Sequence, residues 1–226
     1  MKKILLLILI IVVILVVFVF GMIKANKRLN VNNFSIDSLT SKSVEILNDT
    51  MKLNIDVRTA KVTIKSGSQN TILLSNVVAD QYKINQNGDK LMISESDSNS
   101  HQMELGKSPT ITIVVSKEIL DSIDIHQLNG TLNLCDIQVR KIAILHQNGT
   151  TEANSLEIIE HGKLSKHNGA TNIHDLRSDG LKVTVKNGQF KLNGEKKISS
   201  GQTFNENGKH PLTINSGSGQ VTVDNQ

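Results

Sequence analysis

The sequence predicts an all-β fold, a β-solenoid or β-helix-like repeat domain with rungs of about 20 residues, preceded by one N-terminal transmembrane helix. Three observations predict it. Asn-Gly steps recur as Asn129-Gly130, Asn148-Gly149, Asn168-Gly169 and Asn187-Gly188, at intervals of 19 or 20 residues. Apolar residues recur at fixed offsets from those glycines. An unbroken apolar run extends from Ile4 to Ile23.

The offsets define the repeat. Five residues before the four glycines stand Ile125, Ile144, Leu164 and Val183, and seven before stand Ile123, Ile142, Gly162 and Leu181. Two residues after them come Leu132, Thr151, Thr171 and Phe190, and four after come Leu134, Ala153, Ile173 and Leu192. The seventh position after holds Ile137, Leu156, Leu176 and then Glu195. Spacing by two is the mark of strands with one face turned inward. Gly219 fits the same slot, with Leu212 and Ile214 before it and Val221 and Val223 after it, in the family of corners that also includes Gly217. Ala60 fits it too, flanked by Leu53, Ile55, Val62 and Ile64. Units that cannot bury their apolar side alone form a continuous core by stacking.

Asn and Gly both tolerate positive φ, which a sharp corner requires, and asparagines at equivalent corners can pair their amides along a stack. The competing arrangement is an antiparallel meander with an Asn-Gly hairpin about every 10 residues. The inward pattern repeats on the whole unit and not on half of it, which favours the solenoid. Its handedness is not encoded in the spacing.

Before the repeats, the run Ile4 to Ile23 is long enough as a helix to cross a bilayer core of roughly 30 Å. A cleavable signal has a shorter apolar core and a small-residue cleavage site, so residues 1–23 read as an uncleaved signal-anchor in contact with the lipid bilayer. The only cysteine, Cys135, is far from the run, which excludes lipoprotein processing and internal disulfides; it reads as an inert structural thiol. Residues 24–43, rich in Asn, Ser, Asp and Lys, read as a juxtamembrane linker, and residues 44–226 as the β-repeat domain. Five of the 25 basic residues fall within the first 28 positions, where there is no acidic residue. The excess positive charge therefore belongs to the membrane flanks, where Lys24, Lys27 and Arg28 are expected at lipid headgroups, and nucleic acid is not an expected partner.

Within the domain, Tyr82 to Ile84 and Leu91 to Ile93 around Asn87-Gly88 predict a hairpin, Ser94 to Gly106 a polar loop, and Thr110 to Val115 a β-branched strand. Ser199 to Lys209 is an irregular insertion. These features resemble the bacterial putative-adhesin family, a β-strand-repeat domain of unknown function often found behind a single membrane segment. The likeness is carried by Thr110 to Val115, by Glu118 to Ile125, and by the repeated corner, which keeps the family's Ser-Gly form at Ser216-Gly217-Ser218-Gly219. It implies a surface-exposed β-repeat domain covering roughly residues 44 to 226 and transfers no catalytic residue.

Two groups of side chains bear on chemistry. His126, His146 and His167 lie near successive glycines, with His161 and His174 close by, but at offsets of minus four, minus three and minus two they do not form one ligand set, and they read as surface histidines. Asp136 and Asp175 share the sixth position after their glycines, the placement a polysaccharide-active β-helix would need for paired carboxylates, but Ser155 stands between them. No nucleophile triad or phosphate loop is present in its required context.

The chain is therefore expected to be non-catalytic and cofactor-free: an extracytoplasmic surface adhesion or structural interaction module, with the amino terminus inside. The alternative is a regulatory envelope-stress protein binding a membrane partner such as a sensor kinase. Because Leu212 to Val223 repeats the interior pattern close to Gln226, its strand edge is expected to stay open, with Ser199 to Lys209 as a partial lid. Such an edge invites self-association or an envelope or cell-surface partner.

Overall fold

The computed structural model describes residues 2–225 apart from 97, 99 and 117. Met1 and Gln226, at the two ends of the expected domains, lie outside the described residues. α1 (Lys2–Lys24) is a single helix long and apolar enough to cross a membrane. Its side chains stand exposed until the last turns, where Met22 is buried.

Among the described residues fourteen strands follow: β1 (Lys27–Asn30), β2 (Ser35–Ser38), β3 (Thr40–Glu45), β4 (Lys52–Ser66), β5 (Thr71–Val77), β6 (Tyr82–Asn87), β7 (Lys90–Glu95), β8 (Glu104–Leu105), β9 (Thr110–Val115), β10 (Leu120–Asn168), β11 (Thr171–Leu192), β12 (Glu195–Ser199), β13 (Gln202–His210) and β14 (Leu212–Asn225). β10 alone passes through several rungs, so its 49 residues are wound and not straight.

The rungs stack in parallel and in register. Gly130 pairs with Ala60, Ile123 with Leu53 and Leu134 with Ile64, which places the Arg58-Thr59-Ala60 segment as a full member of the array. Thr151 pairs with Thr171 and Leu156 with Leu176. Inward residues from every rung form one core, including Ile55, Ile125, Ile144, Leu164, Ile214 and Val183 at the same offset.

The order of the rungs departs from the order of the sequence. β14 pairs with β10 through Gly162↔Leu212 to Asn168↔Ser218, and with β11 through Leu181↔Leu212 to Leu192↔Val223. The stack therefore runs Ala60, Gly130, Gly149, Gly169, Gly219, Gly188, with the last strand inserted between two rungs that are consecutive in the chain. The expected open edge on Leu212 to Val223 does not exist. Its physical reason lies in the insertion: turns at Asn193-Gly194 and Gly201, all at positive φ, fold β12 and β13 back antiparallel on β11. They occupy the outer edge of the Gly188 rung before β14 begins, which leaves β14 only the inner slot. The 199–209 stretch is thus a cap and not a partial lid.

At the other end, β7 and β9 lie parallel beneath the two halves of β4, and antiparallel β6, β5 and β3 close the sheet. The expected hairpin is β6–β7, while the expected loop contains the short strand β8. The expected juxtamembrane linker is folded. β1 pairs with β2 and β8 in a separate three-stranded sheet, and β3 belongs to the main sheet. Composition suggests a solvated tether because the residues are polar; in the fold most of them stay exposed along paired strands, and Arg28 alone is buried, among partners described below.

Candidate functional site

Each rung bends at its glycine. Gly130, Gly149, Gly169, Gly188 and Gly219 have φ of +117°, +119°, +112°, +135° and +136°. They are also in contact with one another: a Cβ on Gly149 would stand 1.9 Å from the Gly130 carbonyl oxygen, and one on Gly169 would stand 1.9 Å from that of Gly149. Gly217 serves packing of the same kind, since its Cβ would lie 2.4 Å from the His167 carbonyl oxygen.

Positive φ is confined to the glycines of these steps; Asn129, Asn148, Asn168 and Asn187 do not share it. Their role is in the side-chain amide. Asn148 Nδ2 donates to Asn129 Oδ1 at 3.1 Å and Asn168 Nδ2 to Asn148 Oδ1 at 2.8 Å. Asn187 instead donates to Ser218 Oγ at 3.4 Å, because β14 has entered the stack at that level. A second bend falls six residues after the glycine, where Asp136, Ser155 and Asp175 have φ of 55°, 54° and 56°. The two aspartates share an offset because that corner is left-handed, a conformation Asp adopts more readily than most residues. Asp175 Oδ2 accepts a hydrogen bond from Ser155 Oγ, so it belongs to a corner ladder and not to a cleft.

Inside the stack the core changes character. Three residues before the glycines, Gln127, His146, Lys166 and Ser216 point inward and are at most 4% exposed. Opposite them, two residues after the glycines, Thr151 and Thr171 are equally buried. Val57 and Val62 close this column at one end, and Val185 and Phe190 at the other. His146 is therefore interior, contrary to the expectation of a surface residue, while His161, His167 and His174 are exposed and His126 is half-buried beside Asp56.

Lys166 Nζ donates to the Gly149 carbonyl at 2.8 Å and to His146 Nδ1 at 3.3 Å, and the Thr151 hydroxyl lies 2.9 Å from the same nitrogen. Gln127 Nε2 donates to the Ala60 carbonyl at 2.7 Å. Burial, and then the neighbouring Lys166 charge, push His146 down to about 4. Burial pushes Lys166 down to about 8, with Glu152 opposing. A charged ammonium donating to Nδ1 requires that nitrogen to be unprotonated, so His146 is neutral at pH 7. Gln127 Oε1, His146 Nε2, Thr171 Oγ1 and Ser216 Oγ have no protein partner.

This column gives the domain a pH dependence. His146 binds its proton in the unfolded chain near pH 6.5 but in the fold only near 4, so stability is fully present above pH 6.5 and declines as pH falls towards 4. The loss from this group is about 3 kcal/mol, at roughly 1.4 kcal/mol per pH unit of displacement. Thermal unfolding of the chain between pH 7 and 4 checks it; His146→Gln is expected to flatten that slope.

A second buried polar cluster joins the start of the domain to the segment after α1. Arg28, expected at lipid headgroups, is 2% exposed. Its guanidinium donates to the Lys107 and Asn76 carbonyls and to Gln81 Oε1, and lies 3.8 Å from Glu104. Arg58 bridges Glu95 at 3.3 Å and Glu104 at 3.0 Å, and its backbone N–H donates to Glu95 at 2.7 Å. Burial raises the Glu95 carboxyl above its usual range, opposed by the bonds from Gln81 and Arg58. Two arginines and two carboxylates balance in charge, which is the condition for burying them.

The Toastrack DUF4097 family matches residues 50–226, more than three quarters of the chain. The chain belongs to that family. Among curated proteins there is no match. A solved structure described as a putative cell adhesion protein from Clostridium sporogenes superposes with a TM-score of 0.60 at 14% identity, covering 84% of this chain and 100% of that one. A putative adhesin from Bacteroides fragilis aligns over 84% of this chain and 97% of its own at 9% identity, with a TM-score of 0.34. The first likeness shows a shared fold.

The Toastrack match begins before β4, so α1, the β1–β2 hairpin and β3 precede it, yet Arg28 ties that hairpin into the Toastrack unit. Among the described residues no group of three or more His, Cys, Asp or Glu side chains converges as a metal site would. The pair with displaced titration, His146 and Lys166, is enclosed by neighbouring rungs, where it shapes stability.

Proposed function

We propose that the chain is a membrane-anchored, extracytoplasmic and non-catalytic β-solenoid that acts as a surface adhesion or structural interaction module. The observation carrying this reading is the order of the outward side chains. Asn133 Nδ2 donates to Thr63 Oγ1 at 3.3 Å, Asn172 Nδ2 to Glu152 Oε1 at 2.7 Å and Gln189 Nε2 to Gln220 Oε1 at 3.1 Å, each across adjacent rungs. Polar groups pre-ordered in this way lose little entropy on contact, which suits many weak bonds over a flat area. The adhesion name of the Clostridium sporogenes structure supports the same reading. The apolar α1 supplies an anchor of the right length.

Protease added to intact, wall-stripped cells producing the chain tests both parts. It is expected to remove the β-domain and to lower attachment to that of cells lacking the gene. Full protection of the domain, or attachment unchanged after its removal, contradicts the reading.

A second reading, regulation through a membrane partner, is favoured by the Arg28 cluster, because it joins the helix to the domain firmly enough to pass on a displacement. The two readings separate on whether deleting the gene impairs attachment or a response to envelope stress.

A further inference from the structure

We propose that the outer face of the β2–β1–β8 sheet is a membrane-contact surface, resting at the headgroup boundary of the bilayer that α1 crosses. This rests on the anchor reading above.

Successive residues of a strand point to opposite faces, and this small sheet is sorted accordingly. On the face towards the solenoid lie Arg28 with its buried partners and, directly across, Asp37. On the other face Leu29 stands between Ile36 and Leu105. Val31 extends that face, and its N–H donates to the Met103 carbonyl at 2.8 Å. Met103 is 60% exposed, Ile36 48% and Phe34, at the hairpin tip, 81%. The sheet thus turns Arg28, Asp37 and Glu104 towards the solenoid and leaves Phe34, Ile36 and Met103 exposed on its outer side, the reverse of what a water-facing surface selects.

Its position relative to α1 identifies the occupant. Only Ala25 and Asn26 separate α1 from β1, and neither is free to swing. The Ala25 N–H donates to the Gly21 carbonyl at 3.0 Å, the Asn26 carbonyl accepts from Leu39 N–H at 2.7 Å, and Lys107 Nζ donates to Asn26 Oδ1 at 2.6 Å. Leu29 is therefore within about 17 Å of the helix end even if the chain were fully extended. Lys24 and Lys27, both exposed, accompany the apolar side chains. An aromatic tip, aliphatic neighbours and adjacent lysines are what an interfacial segment carries.

Protein partners fit less well. At roughly 200 Å² for a fully exposed large side chain, the exposed part of this face amounts to about 400 Å², below the roughly 800 Å² per partner of a stable interface. A surface already tethered to the bilayer needs no such area, because the tether supplies the effective concentration.

The chain contains no Trp, so Phe34→Trp introduces a single reporter. The full-length variant is placed at one copy per nanodisc of phosphatidylcholine and phosphatidylglycerol, with and without acyl-chain bromination, beside Ile11→Trp in the helix and Lys186→Trp on the solenoid surface. The expected result is blue-shifted emission from F34W, quenched on bromination, with I11W quenched and K186W unaffected. If I11W is quenched while F34W behaves as K186W, the sheet proposal is overturned and the anchor stands. An unquenched I11W removes the anchor itself. A blue shift of F34W seen only with two copies per disc, without quenching, assigns the face to a second copy and likewise overturns the proposal.

Discussion

Removal of residues 212–226 is expected to abolish cooperative folding of the β-domain, and not merely to shorten it by a rung. In a solenoid whose last strand is its last rung, deleting that strand exposes one fresh edge and leaves the other interfaces intact. Here β14 is interior. Leu212, Ile214, Val221 and Val223 are each at most 2% exposed, packed between the Gly169 and Gly188 rungs. Four such side chains contribute about 6 to 12 kcal/mol at roughly 1.5 to 3 each, comparable to the whole stability of about 5 to 15 kcal/mol of an ordinary domain. The deletion also leaves ladder groups unpaired on both flanking rungs. Circular dichroism of the truncated chain should show no cooperative melt; a melt close to that of the intact chain contradicts the inserted position.

Gly149→Ala is expected to cost about 4 kcal/mol or more, a loss reserved for substitutions with a specific steric cause. The cause is twofold. At φ of +119° an L side chain is strained, and its Cβ would stand 1.9 Å from the backbone oxygen of Gly130. That oxygen belongs to the rung below and cannot retreat without opening the ladder. Gly194→Ala provides the contrast, because Gly194 has φ of +77° but nothing within 4 Å of its Cβ. There only the backbone penalty applies, about 1 to 2 kcal/mol. Comparable melting of the two variants would show that close approach between rungs is not what selects glycine.

The repeat unit was legible because inward positions are chemically alike from rung to rung, so Ala60 could be assigned to a glycine slot with no glycine present. The order of rungs was not legible for the same reason. Offsets that match equally well cannot say whether Leu212 follows Leu181 or precedes it in space. The polar column was hidden because Gln127, His146, Lys166 and Ser216 do not look like core residues. Continuing the alternation from seven and five residues before the glycine to three before would have turned them inward, and Thr151 and Thr171 already stood at an inward offset. Arg28 was misplaced by its neighbours: a basic residue beside an apolar helix suggests a membrane flank, while its partners Gln81 and Glu104 are more than 50 positions away. Asp136 and Asp175 carried a real signal, a shared offset, whose meaning is a left-handed corner.

The insertion of β14 between two consecutive rungs is tested most directly by paired cysteines at the third position after the glycines, in a Cys135→Ser background. Thr222 pairs with Asn172 on one side and with Lys191 on the other. Adjacent parallel strands lie about 4.8 Å apart, within disulfide reach, whereas two rungs span about 10 Å and exceed it. Under mild oxidation, Asn172→Cys with Thr222→Cys and Lys191→Cys with Thr222→Cys are both expected to cross-link, and Asn172→Cys with Lys191→Cys to remain reduced. Efficient cross-linking of 172 to 191 would mean that rungs stack in sequence order, and would contradict the arrangement described here.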